Sequence, residues 1–355
     1  MSALRIVAGD LATRIEQRRQ ALLASSFPAR LAAGDDTLWG PDEAVRAVAR
    51  NRLGWVLSPF AMRERVAEFR AFAREAREQG FRRVLLLGMG GSSLAPEVLA
   101  RVFGPQDQGL PLDVLDDTSP AAVRATRAAH DPATTLVIVA SKSGGTVEVT
   151  SFERAFFDRA ERVLHARAGD AFLAITDPAT ALEAMAADKR YRRVFTNPAD
   201  IGGRYSVLSC FGLVPAALLG VDPAVLCEAA IDEHAAFVAD GGEPLAIGAA
   251  LGELALAGRD KLTLVLSPDL APLGVWIEQL VAESTGKSGR GILPIEGERL
   301  AEPAVYDDTR VFVCVSTGEP DLATVRSLDA LERAGHPVIR WRLEGRERLG
   351  AEFLR

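Results

Sequence analysis

An α/β chain built on two doubly wound parallel sheets, each a sandwich of a sheet between helical layers (α-β-α), is predicted by three observations. Short apolar runs alternate with helical stretches; the first run, 84–87, is continuously apolar rather than alternating; and the pattern restarts once within 355 residues. Continuous apolar runs are what strands need when both faces of a parallel sheet are covered, and strand-then-helix repetition builds such sheets.

In the first half, apolar residues at helical spacing over 62–79 end at Gly80 and hand over to a strand at 84–87. A loop at 88–93 and a helix from Ala95 follow, then strand 112–115, a helix beginning near Pro120, strand 136–140, a helix after Thr146, strand 172–176 and a helix near 179–187. The second half reads as helices over 206–219, 224–239 and 245–258 and a strand at 262–266. A helix over 271–285, a strand at 311–315, a helix over 321–334 and a strand at 338–341 complete it. The expected organisation is a helical N-terminal segment, 1–59, a first domain, 60–204, and a second, 205–355. Ligands of such sheets sit beyond the carboxyl ends of the strands, so the loops after strands are the places to search.

Composition narrows the function classes. Hydrophobic residues make up 48% and charged residues 25%, the balance of a globular protein. No run of about 18 uncharged apolar residues suggests a membrane span, and the charged N-terminal segment does not resemble a secretion signal. A cytoplasmic location is expected. The net charge of −7 argues against nucleic acid or anionic lipid as partners, so a phosphorylated ligand would need a local anion site. Cys210, Cys227 and Cys314 lie scattered in apolar runs and read as buried free thiols rather than disulfides or metal ligands.

Four segments could carry chemistry. Gly88-Met89-Gly90-Gly91-Ser92-Ser93 follows a strand and opens a helix; its glycines allow close backbone approach and the helix start favours an anion. The same residues fit a bare strand-to-helix turn or a dinucleotide fingerprint, the latter weakened because its third glycine would fall at Ser93. Ser141-Lys142-Ser143-Gly144-Gly145-Thr146 is the better phosphate cradle, with three hydroxyls and two glycines before a helix. It lacks the Gly-Lys-Ser/Thr order of a nucleotide loop, and its hydroxyls could alternatively serve only as helix caps.

Gly202-Gly203-Arg204-Tyr205-Ser206 sets an arginine between a flexible pair and a new helix, at the expected domain junction. There a guanidinium can enter an interdomain cleft and offset developing negative charge; most arginines instead lie solvated on the surface. Gln279 and Glu283 are four apart and share one face near a helix carboxyl end, where a carboxylate suits a base working near neutrality. Taken alone, such a glutamate is more often simply solvated.

Together and in this order, the four segments resemble the glucose-6-phosphate isomerase family, built from two sugar-isomerase (SIS) domains. The resemblance runs from about Trp39 to the end and is closest to the isomerase half of bifunctional transaldolase–isomerase proteins, through Trp39-Gly40, Leu115-Asp116-Asp117-Thr118-Ser119-Pro120 and Ile292-Leu293-Pro294. It implies glucose 6-phosphate to fructose 6-phosphate interconversion in glycolysis and gluconeogenesis, with no cofactor and no metal, in a homodimer. By that resemblance Gly91, Ser92, Ser141, Lys142, Ser143 and Thr146 hold the sugar phosphate and Gln279 lies in the sugar pocket. Arg204 stabilises the enediolate and Glu283 moves the proton.

Three departures accompany the resemblance. Val149 stands where some relatives have a further phosphate-loop Thr. None of His130, His165, His234 or His336 falls where many members carry a ring-opening His; the equivalent stretch reads Tyr306-Asp307-Asp308-Thr309-Arg310. The chain stops at Glu352-Phe353-Leu354-Arg355, inside the helix leading to the family's C-terminal lysine-bearing segment, so the second domain is expected to be incomplete. A sugar-phosphate-binding protein with impaired or lost catalysis is the competing expectation.

Overall fold

A computed structural model describes residues 3–287 and 289–355. Its ten strands are, in chain order, β1 (Ala3–Val7), β2 (Arg83–Leu87), β3 (Leu112–Leu115), β4 (Thr135–Ala140), β5 (Phe172–Thr176), β6 (Arg193–Thr196), β7 (Lys261–Leu266), β8 (Leu293–Ile295), β9 (Arg310–Ser316) and β10 (Val338–Arg342). They form two five-stranded sheets, ordered β3-β2-β4-β5-β6 and β1-β10-β9-β7-β8. The first is parallel throughout; in the second only β1 runs antiparallel, against β10.

Contacts group the chain into two compact units: residues 42–228, and residues 1–41 together with 229–355. The sequence boundaries at 59/60 and 204/205 therefore do not coincide with the contact boundaries at 41/42 and 228/229. The N-terminal segment is also more than helices and loops, since β1 adds an edge strand to the sheet of β7–β10.

In the 42–228 unit every residue of β4 and β5 is buried, as their apolar runs require. Helix Val66–Glu78 packs through Phe69 and Phe72, whose rings meet Phe195 at 6.0 and 5.1 Å. Helix Val147–Leu164 buries Val149, Phe152, Phe156, Phe157 and Ala160, a 3–4-residue spacing that turns one stripe to the sheet. Strand order reverses between β2 and β4: the chain passes from β2 to β3 on one side and returns to β4 on the other. Leu87 pairs with Val139, so the loops after β2 and β4 leave the sheet side by side at this switch point. In the other unit, Phe312, Cys314, Leu328, Leu331 and Val338 pack with Tyr306 beneath β9 and β10.

Candidate functional site

The loop after β4 is held by its own unit. Ser141 is buried; its N–H donates to the Ile175 carbonyl at 3.1 Å and its hydroxyl meets that of Thr146 at 3.0 Å. Gly144 is left-handed (φ +67°), and a side chain there would lie 2.6 Å from Thr180 Cβ and 2.9 Å from the Leu182 amide, so only glycine fits. Ser143 accepts from the Gly145 N–H at 3.3 Å. Thr146 occupies the cap position of helix Val147–Leu164 but makes no side-chain cap bond. The first-turn amides of a long helix thus face the loop without the usual hydroxyl acceptor, the arrangement that favours an anion.

Lys142 has partners of its own. Its ammonium pairs with the Asp177 carboxylate and donates to the Ala199 carbonyl at 3.2 Å. Val149 is 1% exposed and belongs to the helix's core stripe, which accounts for an apolar residue there.

The loop after β2 is a tight turn, Gly90–Ser92, leading into helix Leu94–Phe103. Gly90 is left-handed at φ +54°. Gly91 has a different reason: a Cβ there would fall 2.3 Å from the Gly203 carbonyl oxygen. The Gly88–Ser93 and Gly202–Ser206 motifs are therefore packed backbone to backbone, and Ser206 Oγ ties them by reaching Gly203 O at 2.6 Å and Gly91 O at 3.3 Å. Ser92 is buried beside this contact. The arginine motif, expected at a domain junction, lies inside the 42–228 unit.

Arg204 is half-buried, with its guanidinium carbon 5.1 Å from the centre of the Tyr205 ring, which in turn stacks on Trp55 at 5.6 Å. A bridge between Leu53 and Ile201 and a bond from the Gly54 N–H to Asp200 O at 3.1 Å fix the preceding residues. The 42–228 unit thus brings together Gly91, Ser92, Arg204 and their supports on one loop pair, next to the switch point from which Ser141–Thr146 also departs.

Gln279 and Glu283 belong to the other unit, on helix Leu273–Thr285. Its buried residues, Leu273, Gly274 and Trp276, lie at its start. Gln279 is half-buried, with Oε1 buried and unbonded among the described residues. Glu283 is exposed in the last turn, where Lys287 Nζ donates to its carbonyl at 2.5 Å.

Asp177 and Trp55 were not among the residues expected from the sequence. Asp177 directly follows β5, so the strand-end rule could have found it; Trp55 carries no such signal, since only the fold sets it against Tyr205. Burial pushes the Asp177 carboxyl upward, opposed by Lys142 and Asn197.

The geometry defines a class: a doubly wound α/β protein with a hydroxyl-rich loop before an uncapped helix start at a topological switch point. Residues 61–291 match the family model described as phosphoglucose isomerase, and the chain belongs to that family. The matched span contains all four motifs. Glucose-6-phosphate isomerase of Rubrobacter xylanophilus is 32% identical over 238 residues, covering 62% of this chain and 54% of the relative. The chloroplastic glucose-6-phosphate isomerase 1 of Arabidopsis thaliana is 32% identical over 59% of this chain and 35% of its own length. The chain spans about half or less of the curated relatives it matches.

Among solved structures, a hypothetical protein from Thermus thermophilus superposes with a TM-score of 0.79 at 22% identity, covering 99% of this chain and 91% of that one. A glucose-6-phosphate isomerase from Chlamydia trachomatis gives 0.68 at 18% identity, over 96% and 78%. Both show the fold. No helix among the described residues is long and apolar enough to cross a membrane.

Proposed function

We propose that this chain catalyses the interconversion of glucose 6-phosphate and fructose 6-phosphate through a cis-enediolate, as a step of glycolysis and gluconeogenesis. The observation that carries the reading is the match to the phosphoglucose isomerase family over a span that includes both strand-end loops, Arg204 and Glu283. The organisation of the cradle supports it: hydroxyls of Ser141, Ser143 and Thr146 surround an uncapped helix start, chemistry suited to a phosphate monoester.

In this mechanism Ser92 and the Ser141–Thr146 loop grip the phosphate, and binding energy from that non-reacting group orients the sugar's first two carbons. Gln279 belongs to the sugar pocket in this reading. Glu283 removes the C2 proton of the open aldose and returns it to C1. Arg204 offsets the charge that develops on the enediolate oxygens, a role worth about 3 kcal/mol per donor in comparable sites. A cytoplasmic homodimer is the expected working form.

Purified protein incubated with fructose 6-phosphate, coupled to glucose-6-phosphate oxidation, should produce a continuous signal above the protein-free control. A folded sample that binds fructose 6-phosphate without producing that signal would instead establish the sugar-phosphate-binding reading.

A further inference from the structure

Lys142 sits in the phosphate loop, yet two of the three donors of its ammonium are already engaged within the protein. One goes to Asp177 and one to the Ala199 carbonyl at 3.2 Å. These partners lie on different segments: Lys142 follows β4, Asp177 follows β5, and Ala199 lies three residues beyond β6. Backbone bonds reinforce the same connection, since Asp177 N–H donates to Lys142 O at 3.2 Å and Asn197 N–H to Thr176 O at 2.8 Å. The Asp177 side chain is 11% exposed and that of Lys142 24%, so the pair is only lightly screened by water. An ammonium neutralised in this way adds little net charge to the cradle.

Resting on the isomerase reading above, we propose that Asp177 is a positioning residue for the phosphate loop: through Lys142 it straps the ends of β4, β5 and β6 together and so sets where the hydroxyls of Ser141–Thr146 meet the phosphate. Lys142 then serves chiefly as a strut, and the phosphate is recognised by hydroxyls and helix amides. The two possible roles for Lys142 predict opposite signs for one substitution. If Lys142 were an independent phosphate ligand, Asp177→Ala would release its charge and tighten anion binding. If it is a strut, Asp177→Ala lets the loop drift and weakens binding.

The test uses the full chain, with inorganic phosphate and fructose 6-phosphate titrated by calorimetry into wild type, Asp177→Ala, Lys142→Met and the double variant. Asp177→Ala and Lys142→Met should each weaken binding by about tenfold, and the double variant should be no weaker than the worse single, because both remove one shared tie. Asp177→Asn, which keeps an acceptor for the ammonium, should recover part of the loss. KM should rise with kcat held within about threefold, since the reacting groups are untouched. Amide exchange at Ser143–Thr146 in the ligand-free protein should quicken in both single variants while β4 and β5 stay protected, which separates a loosened loop from a failed fold.

Tighter or unchanged binding in Asp177→Ala, or additive losses in the double variant, would overturn the proposal. Wild type that binds the sugar phosphate without turnover would refute the isomerase reading and leave this one standing. Wild type that binds neither ligand would remove both.

Discussion

The loop Ser141–Thr146 and the helix end Gln279–Glu283 differ in how much of their geometry their own unit dictates. In the loop, Ser141 is buried and doubly bonded, Gly144 is locked against Thr180, and Lys142 is tied to Asp177 and Ala199. At the helix end, apolar burial stops near Trp276 and Glu283 is exposed. A preorganised anchor and an exposed helix end suit different tasks. In the proposed mechanism the first fixes a group that does not react and the second exchanges protons. Changes in the loop should accordingly appear in binding, and changes at the helix end in chemistry.

The largest effect is expected at the helix end. Glu283→Gln should lower kcat by about 10²- to 10⁴-fold, the usual contribution of a positioned base, while fructose 6-phosphate binding stays within about twofold of wild type. An equal loss of binding would break the division of labour. Next is Gly91→Ala, whose new Cβ would stand 2.3 Å from the Gly203 oxygen and force two packed backbones apart. Urea unfolding should show a loss of about 1–3 kcal/mol, accompanied by a fall in kcat as the Arg204 segment shifts.

A smaller effect follows from Thr146→Val, which removes one hydroxyl from the cradle and the 3.0 Å contact with Ser141. KM should rise by about tenfold with little change in kcat, as expected for one lost hydrogen bond to a charged group. The cysteines provide the control in which nothing should happen. Burial pushes the thiols of Cys210 and Cys314 up to about 11 and that of Cys227 to about 12. At pH 8 a thiol-specific chromogenic reagent should label none of them in the native protein and all three after denaturation; rapid native labelling would show that one of the units opens.

The interior of each sheet was legible in the sequence, and three of its four edges were not. β2, β4, β5, β7 and β9 contain the largely apolar runs from which they were expected, as strands covered on both faces favour, and the expected β10 also formed although Arg340 interrupts its run. β1, β6 and β8, unforeseen, are edge strands. Arg5 sits within β1, Arg193 opens β6 and Pro294 lies within β8; these residues break the apolar runs that mark a strand, and an edge tolerates them, the proline above all.

The same division applies to the site. Both strand-end loops stood out locally, because glycines and hydroxyls between a strand and a helix mark a turn. The ties that hold them could not: Lys142 and Asp177 are 35 residues apart and Ser206 and Gly91 are 115 apart. Arg204 was expected at a domain junction because a second α/β unit reads as beginning after Gly202. Gly203 instead belongs to a close backbone contact with Gly91, and that contact holds the segment within the 42–228 unit.

In the proposed reaction the chain anchors a sugar phosphate and moves a proton between its first two carbons through Glu283. Proton NMR of fructose 6-phosphate in deuterium oxide tests this directly. Wild type should convert it to glucose 6-phosphate carrying deuterium at C2, and Glu283→Gln should bind the same ligand without that exchange. Wild type that binds fructose 6-phosphate saturably yet neither converts nor exchanges it, or a Glu283→Gln variant that converts it at the wild-type rate, would contradict the claim.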